Sequence, residues 1–150
     1  MTGIDMTHVP YKGGAPAMSD LIAGQVQLSF DTFSNTQGPT KAGRIRLLAV
    51  TGSQRVGAVP DTPTVAEAGV PGFEASSWFG LLGPANTPTA IVARIADRTA
   101  AILAIPAVRE QLAAQGNEPQ SGRPDELSQA LKRDYAKWGK LVRDANLKIE

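Results

Sequence analysis

Tyr11-Lys12-Gly13-Gly14-Ala15-Pro16-Ala17 joins a run that reads as a strand, Ile4 to Pro10, to a short helix, Met18-Ser19-Asp20-Leu21-Ile22-Ala23-Gly24, closed by its glycine. A strand that enters a helix through a glycine pair is the joint of an α/β architecture. Pro16 suits a first helical turn, where a missing N–H costs nothing, and the two glycines let backbone N–H groups approach a ligand. With Lys12 beside them, these donors would suit a carboxylate or phosphate, which gains about 0.3–1 kcal/mol from the helix dipole plus charge-assisted hydrogen bonds. The same turn serves equally as a plain connection, so the residues by themselves leave both roles open.

Outward from this joint the α/β pattern continues. Val26-Gln27-Leu28-Ser29-Phe30 alternates with period two and ends at Asp31. The stretch from Thr32 to Ala42 is a weak segment whose Gly38-Pro39 argues against a long helix. Lys41-Ala42-Gly43 then leads into a further strand, Arg44 to Val50, so the spacing predicts strands joined by helical crossovers in a parallel sheet. Pro60 to Gly69 reads as a turn, one or two helical turns and a glycine stop, and Phe73 to Leu82 as another extended run. The C-terminal half is helical. Thr87-Pro88 signals a helix start, a second helix runs from near Pro106 to Gly116, and Pro124 opens a third. In that last helix Leu127, Leu131, Tyr135, Trp138 and Val142 recur at helical spacing and are expected in the core.

Composition narrows the function. The 150 residues are 42% hydrophobic and 19% charged, with a formal net charge of +1 and no basic run, which gives no footprint for nucleic acid or an anionic membrane. There are no cysteines and one histidine, so disulfides, thiolate chemistry and a structural zinc site are not expected, and no cofactor motif is present. No apolar run approaches the ~20 residues of a membrane span, and Met1 to Asp5 lacks the regions of a signal peptide, so an export signal is expected outside this sequence. Catalytic signals are thin. His8 lies in an extended run near Pro10, and Ser76 and Ser77 lack a nucleophile-elbow context. Asp31, at the C-terminal end of a strand, sits where ligands bind in open parallel sheets, or else caps the following turn.

The series His8-Val9-Pro10-Tyr11-Lys12-Gly13-Gly14-Ala15-Pro16-Ala17, Gly24-Gln25-Val26, Phe30-Asp31, Lys41-Ala42-Gly43, Leu48-Ala49-Val50-Thr51, Pro60 to Gly69 and Ser77-Trp78-Phe79-Gly80-Leu81 resembles the extracytoplasmic solute receptors of tripartite tricarboxylate transporters, the Bug family. The resemblance implies an α/β, periplasmic-binding-protein-like fold of the type II, Venus-flytrap kind, which closes on a small carboxylated solute and hands it to a membrane permease in the periplasm. It implies no enzyme activity, no cofactor, no metal and no nucleic-acid partner. In such receptors backbone N–H groups of two strand-to-helix loops hold the ligand carboxylate, and one loop matches Tyr11, Lys12, Gly13, Gly14 and Ala15. The aspartate matching Asp31 sorts ligands, and Ser77 and Trp78 match a segment at the return crossing between lobes, with hinge packing preferred for Trp78.

Family receptors are about twice this length, and the match covers their second half only. The expectation is therefore a fold truncated to parts of both lobes: residues 1–75 as the C-terminal part of lobe 2, and 76–150 as the return crossing and the C-terminal part of lobe 1. Two alternatives follow, a weakly binding receptor fragment and a half-receptor that no longer binds solute but pairs with itself, as a homo-oligomer or strand-exchanged dimer, or with a complementary half. Arg123 replaces the small hydroxyl residue usual before Pro124, an exchange that weakens the cap by about 1 kcal/mol.

Overall fold

The computed structural model describes residues 2–145. Among them are five helices: α1 (Gly14–Ile22), α2 (Phe33–Lys41), α3 (Thr89–Leu103), α4 (Pro106–Ala114) and α5 (Pro124–Asp144). Gly13, at φ 129° and ψ 171°, swings the chain into α1, and Pro16 falls in its first turn. Three helices end alike. The N–H of Gly24 reaches the Leu21 carbonyl at 3.1 Å and that of Gln25 the Asp20 carbonyl at 2.9 Å; Gly43 and Arg44 close α2 the same way, and Gly116 and Asn117 close α4. These paired bonds form the Schellman motif, which satisfies carbonyls that would otherwise be orphaned.

α2 is short, as Gly38-Pro39 leads one to expect. Gly38 and Pro39 do not prevent a nine-residue helix, because Pro39 falls in the last turn, where its fixed φ is tolerated and its missing N–H forfeits a single bond. The helix is then sealed by Arg44 N–H on the Pro39 carbonyl at 2.9 Å. α3 starts as expected near Thr87-Pro88, but the Thr87 hydroxyl turns back to the Pro84 carbonyl at 2.8 Å and does not cap the helix. At α5 Arg123 offers no acceptor, yet half of a capping box survives, since the Glu126 carboxylate accepts the Arg123 N–H at 3.1 Å.

The runs 4–10, 26–30 and 44–50 are not laddered. The described residues contain one β pairing, the isolated parallel bridge between Val50 and Thr64. It is made by Val50 N–H on the Pro63 carbonyl at 2.8 Å and Val65 N–H on the Val50 carbonyl at 2.9 Å. Alternation fits a segment for a sheet, but a ladder also needs a second edge to take up its N–H and C=O groups. The bridge has the parallel sense expected of an α/β chain.

The chain divides into two compact units, Met1–Ser77 with Gln111–Glu118, and Trp78–Glu110 with Pro119–Glu150. In the first, α1 packs on α2. The end of α4 joins them: the Gln37 side-chain amide donates to the Ala114 carbonyl at 3.0 Å, and Gly116 lies so close to Phe33 that a Cβ there would stand 2.5 Å from its ring. In the second, α3 packs on α5, and Gly80 lies against Leu127. Met18, 7% exposed, is the one buried hydrophobic residue among those described, and Thr36 and Thr64 are the buried polar ones. The stripe expected as the core of α5 is only partly covered: Leu127 and Val142 are half-buried, whereas Tyr135 is 86% exposed. Leu131 and Trp138 are exposed as well, and Tyr135 lies at the edge of the apolar arc.

Candidate functional site

In the first unit the start of α1 and the segment before α2 bring Gly14 and Asp31 together. Gly13 is the N-cap of α1 and Gly14 its first residue, so the unpaired N–H groups of the first helical turn open at Gly14 and Ala15. Lys12 and Ala15 are exposed, and Gly14 is half-buried. Gly14 is half-buried because Asp31 stands beside it: a Cβ on Gly14 would meet both Asp31 carboxylate oxygens at 3.3 Å and the Asn35 amide nitrogen at 2.5 Å. Asp31 Oδ1 accepts the Thr32 N–H at 2.7 Å and the Asn35 side-chain amide at 2.9 Å. Its Oδ2 is buried and has no hydrogen-bond partner among the described residues. The carboxylate therefore lies where α1 begins and immediately before α2, with the positive ends of two helices near it.

Tyr11 holds the loop from behind. Its hydroxyl donates to Asp20 Oδ2 at 2.7 Å, tying the segment before the glycines to the second turn of α1. That bond, with the negative charge of Asp20, raises the phenol above its ordinary range, because the neutral O–H is the form the carboxylate stabilises. Asn35 and Asp20 complete this arrangement and were not singled out from the sequence. The i,i+4 spacing of Asp31 and Asn35 on a helix start could have signalled the first, whereas the Tyr11–Asp20 pair, nine residues apart, has no local signature.

Ser77 is exposed at the end of the first unit's main run, and Trp78 opens the second. Trp78 spends its one side-chain donor on α5, with the indole N–H 2.7 Å from Asp134 Oδ2, while the residue is 41% exposed. No group of His, Cys, Asp and Glu among the described residues could hold a metal ion. No helix among them is long and apolar enough to cross a membrane.

A glycine-opened helix start with an acid fixed beside it is a joint common in α/β binding folds. The sequence profile described as the tripartite tricarboxylate transporter family receptor, TctC, matches residues 1–147, and the chain belongs to that family. A Pseudomonas sp. (strain P51) protein from the tcbD-tcbE intergenic region is 37% identical over 140 residues, 93% of this chain and 42% of that protein. A Pseudomonas knackmussii protein from the clcB-clcD intergenic region is 37% identical over 141 residues, 93% of this chain and 83% of that protein. Among solved structures, Rhodopseudomonas palustris Rpa4515 with adipate aligns at TM-score 0.89 and 40% identity, covering 97% of this chain and 49% of that one. The periplasmic binding protein BugD aligns at TM-score 0.83 and 34% identity, covering 99% of this chain and 50% of that one. MatC (Rpa3494) from the same R. palustris, with bound malate, aligns at TM-score 0.76 and 33% identity over 93% of this chain and 48% of its own. The fold is thus the α/β periplasmic-binding-protein fold, and the chain spans about half the length of these solved receptors.

Proposed function

We propose that this chain is the solute-gripping part of a periplasmic receptor that binds small carboxylated solutes, presents them to the membrane permease of a tripartite transporter, and catalyses nothing. The observation that carries this reading is the Gly13–Gly14 opening of α1 with Asp31 set against it. Backbone N–H groups at Gly14 and Ala15, and the exposed Lys12, supply donors and positive charge for a carboxylate. Tyr11 keeps the loop in register through Asp20. Family membership and the adipate and malate carried by two aligned receptors support the same ligand chemistry.

Asp31 sets the selection. Two like charges about 4 Å apart cost about 4 kcal/mol at an effective dielectric of 20, so a second carboxylate of the solute placed beside Asp31 is rejected. A hydroxyl or ammonium there is accepted, because it brings no like charge and can donate to the acid. Ser77 and Trp78 are assigned to the cleft edge and the hinge. Calorimetry with adipate, malate and an amino dicarboxylate tests the reading. Binding in the range of about 1 mM is expected, stronger for the hydroxy and amino acids than for adipate. Raising salt from about 0.01 to 1 M weakens it as the Debye length contracts. Asp31→Asn is expected to shift preference toward adipate about tenfold. Absence of heat with every acid, at protein concentrations that would detect millimolar binding, overturns the proposal.

A further inference from the structure

Asn35, the third residue of α2, carries its side chain back across the start of the helix to the acid that precedes it. An ionised carboxylate only accepts hydrogen bonds, so the atom that faces Asp31 Oδ1 at 2.9 Å is the amide nitrogen, and the amide carbonyl is left for another donor. That carbonyl oxygen has no partner among the described residues, and Asn35 is exposed. Its backbone is also held, because the Asn35 N–H donates to the Thr32 carbonyl at 3.1 Å in the first turn of α2. With backbone and amide both restrained, the carbonyl is set in place before a ligand arrives, which lowers the entropy cost of using it.

The same amide stands against the opening of α1. Its nitrogen would lie 2.5 Å from a Cβ on Gly14. A Cβ is about 2.5 Å from its own backbone nitrogen, so Asn35 Nδ2 is within about 5 Å of the Gly14 nitrogen. A carboxylate oxygen accepting the Gly14 N–H sits about 2.9 Å from that nitrogen, which brings the first carbon beyond the carboxylate past Asn35. The far end of a dicarboxylate extends beyond the amide's reach. Asp31 alone is poorly placed to serve a substituent on that first carbon. Its Oδ1 already takes the Thr32 N–H at 2.7 Å and the Asn35 amide, and its Oδ2 is buried. A donor that arrives at the acid meets the Asn35 carbonyl beside it.

We propose that Asn35 is a solute-contacting, specificity-determining residue, whose carbonyl oxygen selects carboxylates that bear a hydroxyl or ammonium on the carbon next to the bound carboxylate. This rests on the carboxylate-binding reading given above and adds where the solute must carry its donor. The amide is neutral, so it accepts from either group without adding charge. Its own donation to Asp31 strengthens the carbonyl as an acceptor, since linked hydrogen bonds polarise one another. A methylene in that place would cover the carbonyl and leave it unpaired, at a cost in affinity. Gly14 admits the amide by having no side chain at the point where the two meet.

Succinate, malate and aspartate share a carbon skeleton and differ only in the hydrogen, hydroxyl or ammonium next to one carboxylate. Calorimetry with these three, on this chain and on its Asn35→Ala variant, tests the proposal. The chain is expected to bind malate and aspartate about threefold to tenfold more tightly than succinate, and Asn35→Ala to bring both ratios to about one. Asn35→Leu, of similar shape and without a polar atom, is expected to give the same ratios as Asn35→Ala, which guards against a variant that merely folds badly. Ser34→Ala, an exposed neighbour in the same turn, should leave the ratios of the parent chain unchanged. An equal loss for all three solutes is what a structural role alone would give, and it overturns the proposal, as do ratios that Asn35→Ala and Asn35→Leu leave unaltered; in both cases the carboxylate-binding reading stands. Heat from none of the three with the parent chain overturns that reading and this proposal together.

Discussion

Gly14 and Asp31 share a space that a single methyl group would fill. The Asn35 amide nitrogen at 2.5 Å is the nearest obstacle to a Cβ at Gly14, and the two Asp31 oxygens follow at 3.3 Å. Gly14→Ala is therefore expected to cost about 1–3 kcal/mol in urea unfolding, and Gly14→Ala with Asn35→Ala to recover part of it, a non-additivity that identifies the contact. Tyr11 supplies a second residue-scale prediction. Its folded pKa lies above that of the unfolded chain, so the stability from its bond to Asp20 is fully present below the unfolded value and is lost as pH rises through the folded one. Tyr11→Phe should flatten the alkaline limb of the stability profile, measured by urea midpoints against pH. The glycine pair, the lysine and Asp31 were legible as single residues. That Asp31 lies against Gly14 was not, because seventeen positions of chain separate them and no periodicity links a loop to a strand end.

Among the elements, the glycine stops of α1, α2 and α4 were readable because a left-handed C′ residue is a local demand that sequence meets with glycine. Gly24 and Gly116 share that demand and differ in surroundings. A Cβ on Gly24 would meet nothing within 4 Å, and one on Gly116 would meet Phe33 at 2.5 Å. Gly24→Ala should cost about 1–2 kcal/mol for backbone strain alone, and Gly116→Ala about 1–3 kcal/mol more, both read from denaturant midpoints. The turn after Pro63 carries a signal passed over in the sequence, the spacing Thr64-x-x-Glu67. Glu67 Oε2 accepts the Thr64 N–H at 2.8 Å, and the Thr64 hydroxyl accepts the Glu67 N–H at 3.1 Å. The Thr64 backbone N–H, then Arg55, whose Nε lies 2.9 Å from the same carboxylate, hold Glu67 below its ordinary pKa. Its contribution to stability is thus present above the unfolded value of about 4.5 and falls away as pH drops through the folded one. A carbon-detected titration of Glu67 should show the depression, and Arg55→Ala should reduce it without abolishing it.

At the scale of the molecule, the α/β class was legible and the sheet was not, since alternation at 4–10, 26–30 and 44–50 describes what each run offers and says nothing of whether a second edge is there to accept it. The folded chain exposes 11901 Å², where a globule of its mass would expose roughly 7,300 Å², and that open surface has a thermodynamic counterpart. An unfolded chain of 15.7 kDa exposes roughly 22,800 Å², so this one covers about 30% less on folding than a globule of its mass. Its urea m-value should be about 30% below that of an ordinary 150-residue domain. Binding of the dye ANS should accompany the low m-value. The two units are also crossed by the chain at three points, after Ser77, after Glu110 and after Glu118. A single protease cut between Ser77 and Trp78 would therefore not divide the protein along its units. The fragment carrying 78–150 would still hold Gln111–Glu118 inside the first unit, through Gly116 against Phe33 and Ala114 on Gln37. The nicked chain should migrate as one particle under native conditions and as two under denaturing ones, held together by the helix end that the 78–150 piece lends to the first unit.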